Sequence, residues 1–444
     1  MGKAISLRLT RARATPGGPA GDPAGDSAVG ALAERHRLGA VVLVAGIAAL
    51  SFNLRPAITS LPPVFPELAG RLGLSSAAIT ALATIPVACF GVFSGFAAKL
   101  SRRFGDETAL FASLILLVAG LALRGLFPGI ALFPATVLAA GAIAIMNVLL
   151  SGLIKRRMPR HAGLLIGIYL LSLSVGSIIG SLIAVPVYQS SGGSAHIALG
   201  LWAVPAAVAV VAWLPQVMHR RPGASIAAER AVNATVASRA AASPAVAPPP
   251  PAAGHAVHRS LLAWQVAAFM GLQSLVFYST LSWLPTLFRD RGASATHAGV
   301  LLSIMTLGGV ITALVVPVIA HRTPDQRKIV VPTVLLSAVG IGAALFAPLG
   351  TESVWMFVLG FAQGSSLGLA IFFTMARAAT PAIAASLSAL AQGAGYLVAS
   401  AGPLLVGFLH TATAGWRIPV FLLLGITALQ LAAGYLASRP RVIE

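Results

Sequence analysis

One arginine stands by itself inside the first long apolar stretch of this chain, and it has the most chemistry to offer. Arg55 lies about 17 residues past Leu38, where the stretch begins, which is roughly 25 Å of helix and too deep for a loop charge. An unpaired charge at that depth in lipid costs from about 3 to more than about 10 kcal/mol, so it needs a partner or a use. No Asp or Glu falls within any of the apolar stretches. The fork of donors is therefore open to a planar acid or another strongly polar solute. The competing reading has Arg55 snorkel to the far membrane rim or bond the carbonyls that Pro56 frees. On an unbroken helix Ser51, Arg55 and Thr59 share one face at four-residue spacing, while Asn53 points toward a neighbouring span. Pro56 removes a backbone donor and kinks the helix, a device common where backbone lines a cavity.

Further polar groups recur in later stretches: Asn147 with Ser151, Tyr169 with Ser172, Gln273 with Tyr278, Gln363, and Gln392 with Tyr396. Each can stitch helices together or line a shared cavity. The expected substrate-binding set is Arg55, Asn53, Ser51, Thr59, Asn147, Tyr169, Gln273, Tyr278, Gln363 and Gln392, with Asn147, Tyr169, Gln273 and Gln392 foremost after the arginine. Ser172, Gly176 and Gly180 form a stripe of small residues suited to close packing, and Gly402-Pro403 holds the corresponding end of a later stretch. The histidines sit in loops or at the ends of stretches, without metal-ligand spacing, and there is no Walker loop, GxSxG or HExxH. Neither an enzyme nor a cofactor or metal site is expected. The single cysteine, Cys89, excludes a disulfide within the chain and a Cys-based metal site.

These side chains call for a lipid-embedded scaffold. Of 444 residues, 57% are hydrophobic and only 9% are charged, against about 25% charged in soluble domains. Apolar runs fall at roughly 38–64, 77–98, 108–127, 131–154, 163–188, 197–217, 261–287, 296–319, 329–349, 353–376, 386–410 and 417–437, each long enough to cross a core about 30 Å thick. The expected fold is an all-α membrane protein with twelve transmembrane helices. The net charge of +19 sits in short gaps between the runs, so it sets topology and does not mark nucleic-acid binding. Placing both termini and the alternate turns in the cytoplasm collects 24 of the 30 Lys and Arg there, leaving five on the other side and Arg55 inside.

Two short patterns repeat. Leu61-Pro62-Pro63-Val64-Phe65 matches Leu284-Pro285-Thr286-Leu287-Phe288 at 223 positions, and Lys155 before Pro159 matches Arg377 before Pro381 at 222. The expected plan is two six-helix bundles in a parallel pseudo-repeat, with substrate at the midplane between them. Its boundaries are a disordered cytoplasmic tail at 1–37, a first bundle at 38–217, a flexible Ala- and Pro-rich cytoplasmic linker at 218–259, a second bundle at 260–438 and a cytoplasmic tail at 439–444. The chain is expected to be a monomer in a bacterial inner membrane, with the bilayer and a small-molecule substrate as its partners.

The segment Asn53-Leu54-Arg55-Pro56-Ala57-Ile58-Thr59-Ser60, then Leu72-Gly73-Leu74-Ser75, resembles the first span and loop of the cyanate and 2-nitroimidazole permease family of the major facilitator superfamily. The likeness continues through Thr84-Ile85-Pro86-Val87, Gly91, Arg102-Arg103-Phe104-Gly105, Asn147-Val148-Leu149-Leu150 and Ile154-Lys155-Arg156. The resemblance implies a secondary transporter that works by rocking of two bundles, with cyanate import and nitroimidazole export among the family's activities. One departure is Arg102-Arg103-Phe104-Gly105-Asp106-Glu107, where the superfamily loop carries an Asp before its Arg and Gly. The expected function is secondary active or facilitative movement of a small anionic or polar solute, cyanate-like or a small organic anion, by alternating access. The alternative is an efflux pump for nitroimidazole-type or other small drug-like compounds.

Overall fold

The computed structural model describes residues 41–157, 161–218 and 257–444. The expected N-tail and residues 219–256 of the expected linker lie outside the described residues. All packing below is within residues 46–444.

Among the described residues, twelve spans of 20 to 33 residues are long and apolar enough to cross a membrane. They run, as spans one to twelve, over Val41–Leu72, Ser76–Phe104, Asp106–Leu126, Leu132–Ile154, Gly163–Ser190, Ala195–Met218, Leu261–Asp290, Ala295–Arg322, Arg327–Phe346, Glu352–Ala376, Pro381–Thr413 and Arg417–Ala437. Local chemistry punctuates them. Ser75, Ser260, Ser294 and Thr380 each accept a backbone N–H from three residues ahead and so start spans two, seven, eight and eleven. Gly105, at φ +79°, turns span two into span three, a backbone geometry that disfavours any other residue. Just past it, Asp106 accepts from Ser101 at 2.5 Å and pairs with Arg156 of the fourth helix. The acid displaced in the sequence pattern thus still ties the turn together.

The faces turned outward are apolar: Val204, Val208 and Val211, at three- and four-residue spacing on span six, are all strongly exposed. The interior is largely apolar too, but it also holds serines, threonines and glutamines such as Ser181, Thr280, Ser303, Gln363 and Gln430, whose hydroxyls and amides can bond between helices.

Helix pairing displays the repeat. Spans two and four, three and four, three and six, and one and five pack together; so do eight and ten, nine and ten, nine and twelve, and seven and eleven, each the earlier pair with six added. The halves meet through span two on eleven and span five on eight, which exchange under the same shift. The repeated Pro motif folds differently in the two copies. With two prolines, Pro62–Val64 becomes a 3-10 turn that breaks span one, whereas the lone Pro285 is absorbed in the 30-residue helix of span seven.

Among the described residues, an ion pair and several hydrogen bonds that join the halves lie at the end with the 73–75 and 291–294 turns. There Arg289 reaches Glu67 at 2.6 Å, and Ser181 bonds Ser303 at 2.8 Å. At the opposite end, the last six residues are tied to the 377–380 turn, with Ile443 N–H donating to the Arg377 carbonyl and Ala379 N–H to the Ile443 carbonyl.

Candidate functional site

The site begins with a broken helix. Span one is helical over 41–52, turns at 53–55, and resumes as a single helical turn at Pro56–Thr59. Proline suits the first position of a helix because its missing N–H would have been unsatisfied there. Arg55 caps that turn with φ −121° and ψ −39°, outside helical geometry. The helix is therefore not the unbroken one on which Ser51, Arg55 and Thr59 share a face, because the break rotates Arg55 away from the register of Ser51.

Each of the other residues from this segment is used to hold the break. Ser51 donates to the Ile47 carbonyl of its own helix at 2.5 Å, and Asn53 donates to Ala49 and, across to span six, to the Pro205 carbonyl at 3.1 Å. Thr59 donates to the Ser177 carbonyl of span five at 3.1 Å. The small-residue stripe closes the joint: a Cβ on Gly176 would collide with the Phe52 carbonyl oxygen, and one on Gly180 with Thr59 and Pro56.

Arg55 itself points at the seam between the halves. Its Cζ lies 5.9 Å from the Phe277 ring centre and 6.0 Å from that of Tyr278, both on span seven. Tyr278 meets Phe90 of span two at 6.1 Å and Tyr396 of span eleven at 6.3 Å, and those two rings meet at 5.8 Å. The guanidinium faces the phenols of Tyr278, Tyr396 and, on span five, Tyr169; the Tyr169 hydroxyl donates to Asn147 Oδ1 at 3.0 Å. Arg55 is half-buried, but its Nη1 is fully enclosed and has no hydrogen-bond partner, and no carboxylate among the described residues pairs with it. A cation held over aromatic faces with one free donor is a ready acceptor of an oxyanion or nitro oxygen.

The structure sorts the remaining candidates. Asn147, Tyr169 and Tyr278 gather near Arg55 with Phe90, Phe277 and Tyr396, which the expected set does not contain. Gln363 is buried and bonds Thr280 at 3.0 Å, joining spans ten and seven, and buried Gln273 bonds its neighbour Ser274 at 2.7 Å. Gln392 is exposed and bonds Ser388; four residues from Tyr396, it lies on the helix face that Tyr396 turns to the seam.

A buried arginine is also absent from the expected set. Arg124 of span three is 1% exposed and donates to the Ala57 carbonyl at 3.1 Å, with Nε and Nη2 unpartnered. That carbonyl belongs to the single helical turn after Arg55, and the N–H that would cap it in a continuing α-helix, that of Leu61, donates to the Ile58 carbonyl instead. Arg124 thus caps the negative end of the turn whose other end is Arg55. The readable signal was a second arginine inside an apolar run; its nearness to the end of the run made it look like a loop charge.

With this geometry in hand, known proteins provide a comparison. The family model described as Major Facilitator Superfamily matches residues 41–403. A 2-nitroimidazole transporter of Escherichia coli (strain K12) is 34% identical over 91% of this chain and 97% of its own. The cyanate transport protein CynX of the same organism is 27% identical over 83% of this chain and 89% of its own. Among solved structures, a bacterial homolog of the human lysosomal transporter Spinster, inward-facing and unoccupied, superimposes with a TM-score of 0.67 at 17% identity, covering 90% of this chain and 97% of that one.

Proposed function

This chain belongs to the Major Facilitator Superfamily, and from that premise we propose that it carries a small, planar, anionic or strongly polar solute past Arg55 by alternating access. It is a multi-pass membrane transporter, not an enzyme. The observation that carries the substrate reading is the enclosed, unpartnered Nη1 of Arg55 over Phe277 and Tyr278 at the junction of the halves. Its free donor takes one delocalised oxygen or nitrogen, and the rings cover the flat face of the solute. Asn147 and Tyr169, already bonded to each other, present a neutral polar edge on the first-half side. The named solutes of the two relatives, cyanate and 2-nitroimidazole, are both small, planar and polar.

The charge distribution supports an inner-membrane topology in which the end with Lys99, Arg102, Arg103, Arg322 and Arg327 faces the cytoplasm. Because the bonds joining the halves gather at the other end, the molecule is read as inward-facing. The segment 218–259 is proposed as the linker between the bundles, and the protein as a monomer.

The test is binding and flux with Arg55 replaced. In purified protein, cyanate or a small carboxylate stabilises the wild type; Arg55→Ala binds roughly 10- to 100-fold more weakly, the scale of one or two hydrogen bonds to a charged group, and Arg55→Lys recovers part of that. An Arg55→Ala protein that binds anions as well as the wild type overturns the reading. The second reading, outward flux of nitroaromatic compounds, is favoured by the 2-nitroimidazole relative. Proteoliposomes loaded on one side at a time decide between the two directions.

A further inference from the structure

We propose that the surface where the start of span seven meets the end of span twelve is a binding site for the headgroup of an anionic phospholipid. The inference rests on the fold and not on the solute at Arg55. A groove there is lined by Leu261, Leu262, Gln265, Leu436, Arg439 and Arg441. Its floor belongs to the lipid face: Leu261 is 74% exposed. Its rim is cationic, for Arg439 and Arg441 stand two and four residues beyond Ala437, where the apolar helix stops. That is headgroup height for a helix spanning the bilayer.

Three further features fix the level and the sign of the patch. Trp264, one turn along from Leu261, is 47% exposed and donates Nε1–H to the His258 carbonyl at 2.9 Å, the half-apolar, half-bonded setting that indoles occupy at a membrane boundary. Tyr435 is 43% exposed and carries the guanidinium of Arg327 4.4 Å over its ring, which puts a third positive charge at the same end of span twelve, beside the groove's Leu436 in sequence. The backbone that bears Arg441 is fixed by the Ile443 bonds to the 377–380 turn and by Arg441 N–H donating to Arg439 at 2.7 Å. Among the described residues neither Arg439 nor Arg441 has a side-chain hydrogen bond or ion pair, so both forks are free for phosphate oxygens. Gln265 offers an amide to the ester or glycerol oxygens, and the leucines receive the start of an acyl chain. An acidic peptide would match the charge but not a leucine floor continuous with the lipid-facing surface, so the lipid fits better.

The experiment uses the full-length protein, delipidated in neutral detergent, with phosphatidylglycerol, phosphatidylcholine of the same chains, and glycerol 3-phosphate alone. Native mass spectrometry and thermal unfolding give the affinities. Phosphatidylglycerol binds more tightly than phosphatidylcholine, and glycerol 3-phosphate alone gives no shift. Arg439→Ala with Arg441→Ala weakens phosphatidylglycerol about 30-fold, at about 5-fold for each arginine near an anionic surface; the double Lys variant retains most of the affinity. Phosphatidylglycerol bearing a photoreactive headgroup labels 261–265 and 436–441 of the wild type, a readout that needs no variant to fold. Equal binding of phosphatidylcholine, an undiminished double Ala variant, glycerol 3-phosphate matching the lipid, or labelling elsewhere would each overturn the proposal, and stabilisation by an acidic peptide in place of the lipid would reassign the surface.

Discussion

Arg55 and Arg124 stand at the two ends of one helical turn and meet the cost of burial in different ways. Arg124 caps the Ala57 carbonyl, while Arg55 keeps a free donor at the seam. Arg124→Met therefore leaves that carbonyl buried and unpaired, with a loss of about 1–3 kcal/mol expected in thermal or denaturant unfolding. Arg124→Gln, which can still donate, should recover much of it, and a Met variant as stable as the wild type would show that the cap is idle. Arg55 was legible in the sequence because a lone charge in an apolar run has few excuses. Ser51, Thr59 and Gln363 were not, since a hydroxyl or amide in a membrane helix can turn to a nearby carbonyl or to a neighbouring helix without altering the sequence pattern.

At the scale of elements, span one is positioned by what span five lacks. The Ser172, Gly176 and Gly180 stripe announces a close contact in the sequence, and the structure supplies its other side: the Phe52 carbonyl, Pro56 and Thr59, the break itself. Gly176→Leu cannot be accommodated by a rotamer change, because the obstructing atom is backbone. It should lower the unfolding temperature and also weaken solute binding, as the break is pushed toward the seam, with a cost of about 1–3 kcal/mol typical of overpacking. Gly163→Ala, with open space around it, is the control that should change neither. The helices, their number and their repeat could be read from apolar runs and two short motifs, because lipid permits few alternatives to a helix. The length of the break could not, since Pro56 signals an interruption but not that the turn starts at Asn53.

At the scale of the whole molecule, Glu67 and Arg289 form a partly exposed ion pair that spans the two halves at one end. Glu67→Gln should shift the balance toward opening at that end by at most about 5-fold, the reach of a screened ion pair. Distances between spin labels on the 291–294 turn and the 73–75 turn would report it; an unchanged distribution would mean that the helix contacts alone keep the end closed. Those contacts have an unusual texture. Gly91 lies against the Leu397 side chain, Gly299 against the Ser181 carbonyl, and Gly407 against the Thr80 side chain, so at three places a glycine lets the other half come close to its helix backbone. In the proposed alternating-access cycle, the glycine at each of these points has no side chain of its own to clear, and the rocking step should meet correspondingly less friction. Turnover in that proposed cycle would then be paced by release of the solute from the proposed site at Arg55, and the stickiest solute would be the slowest to cross.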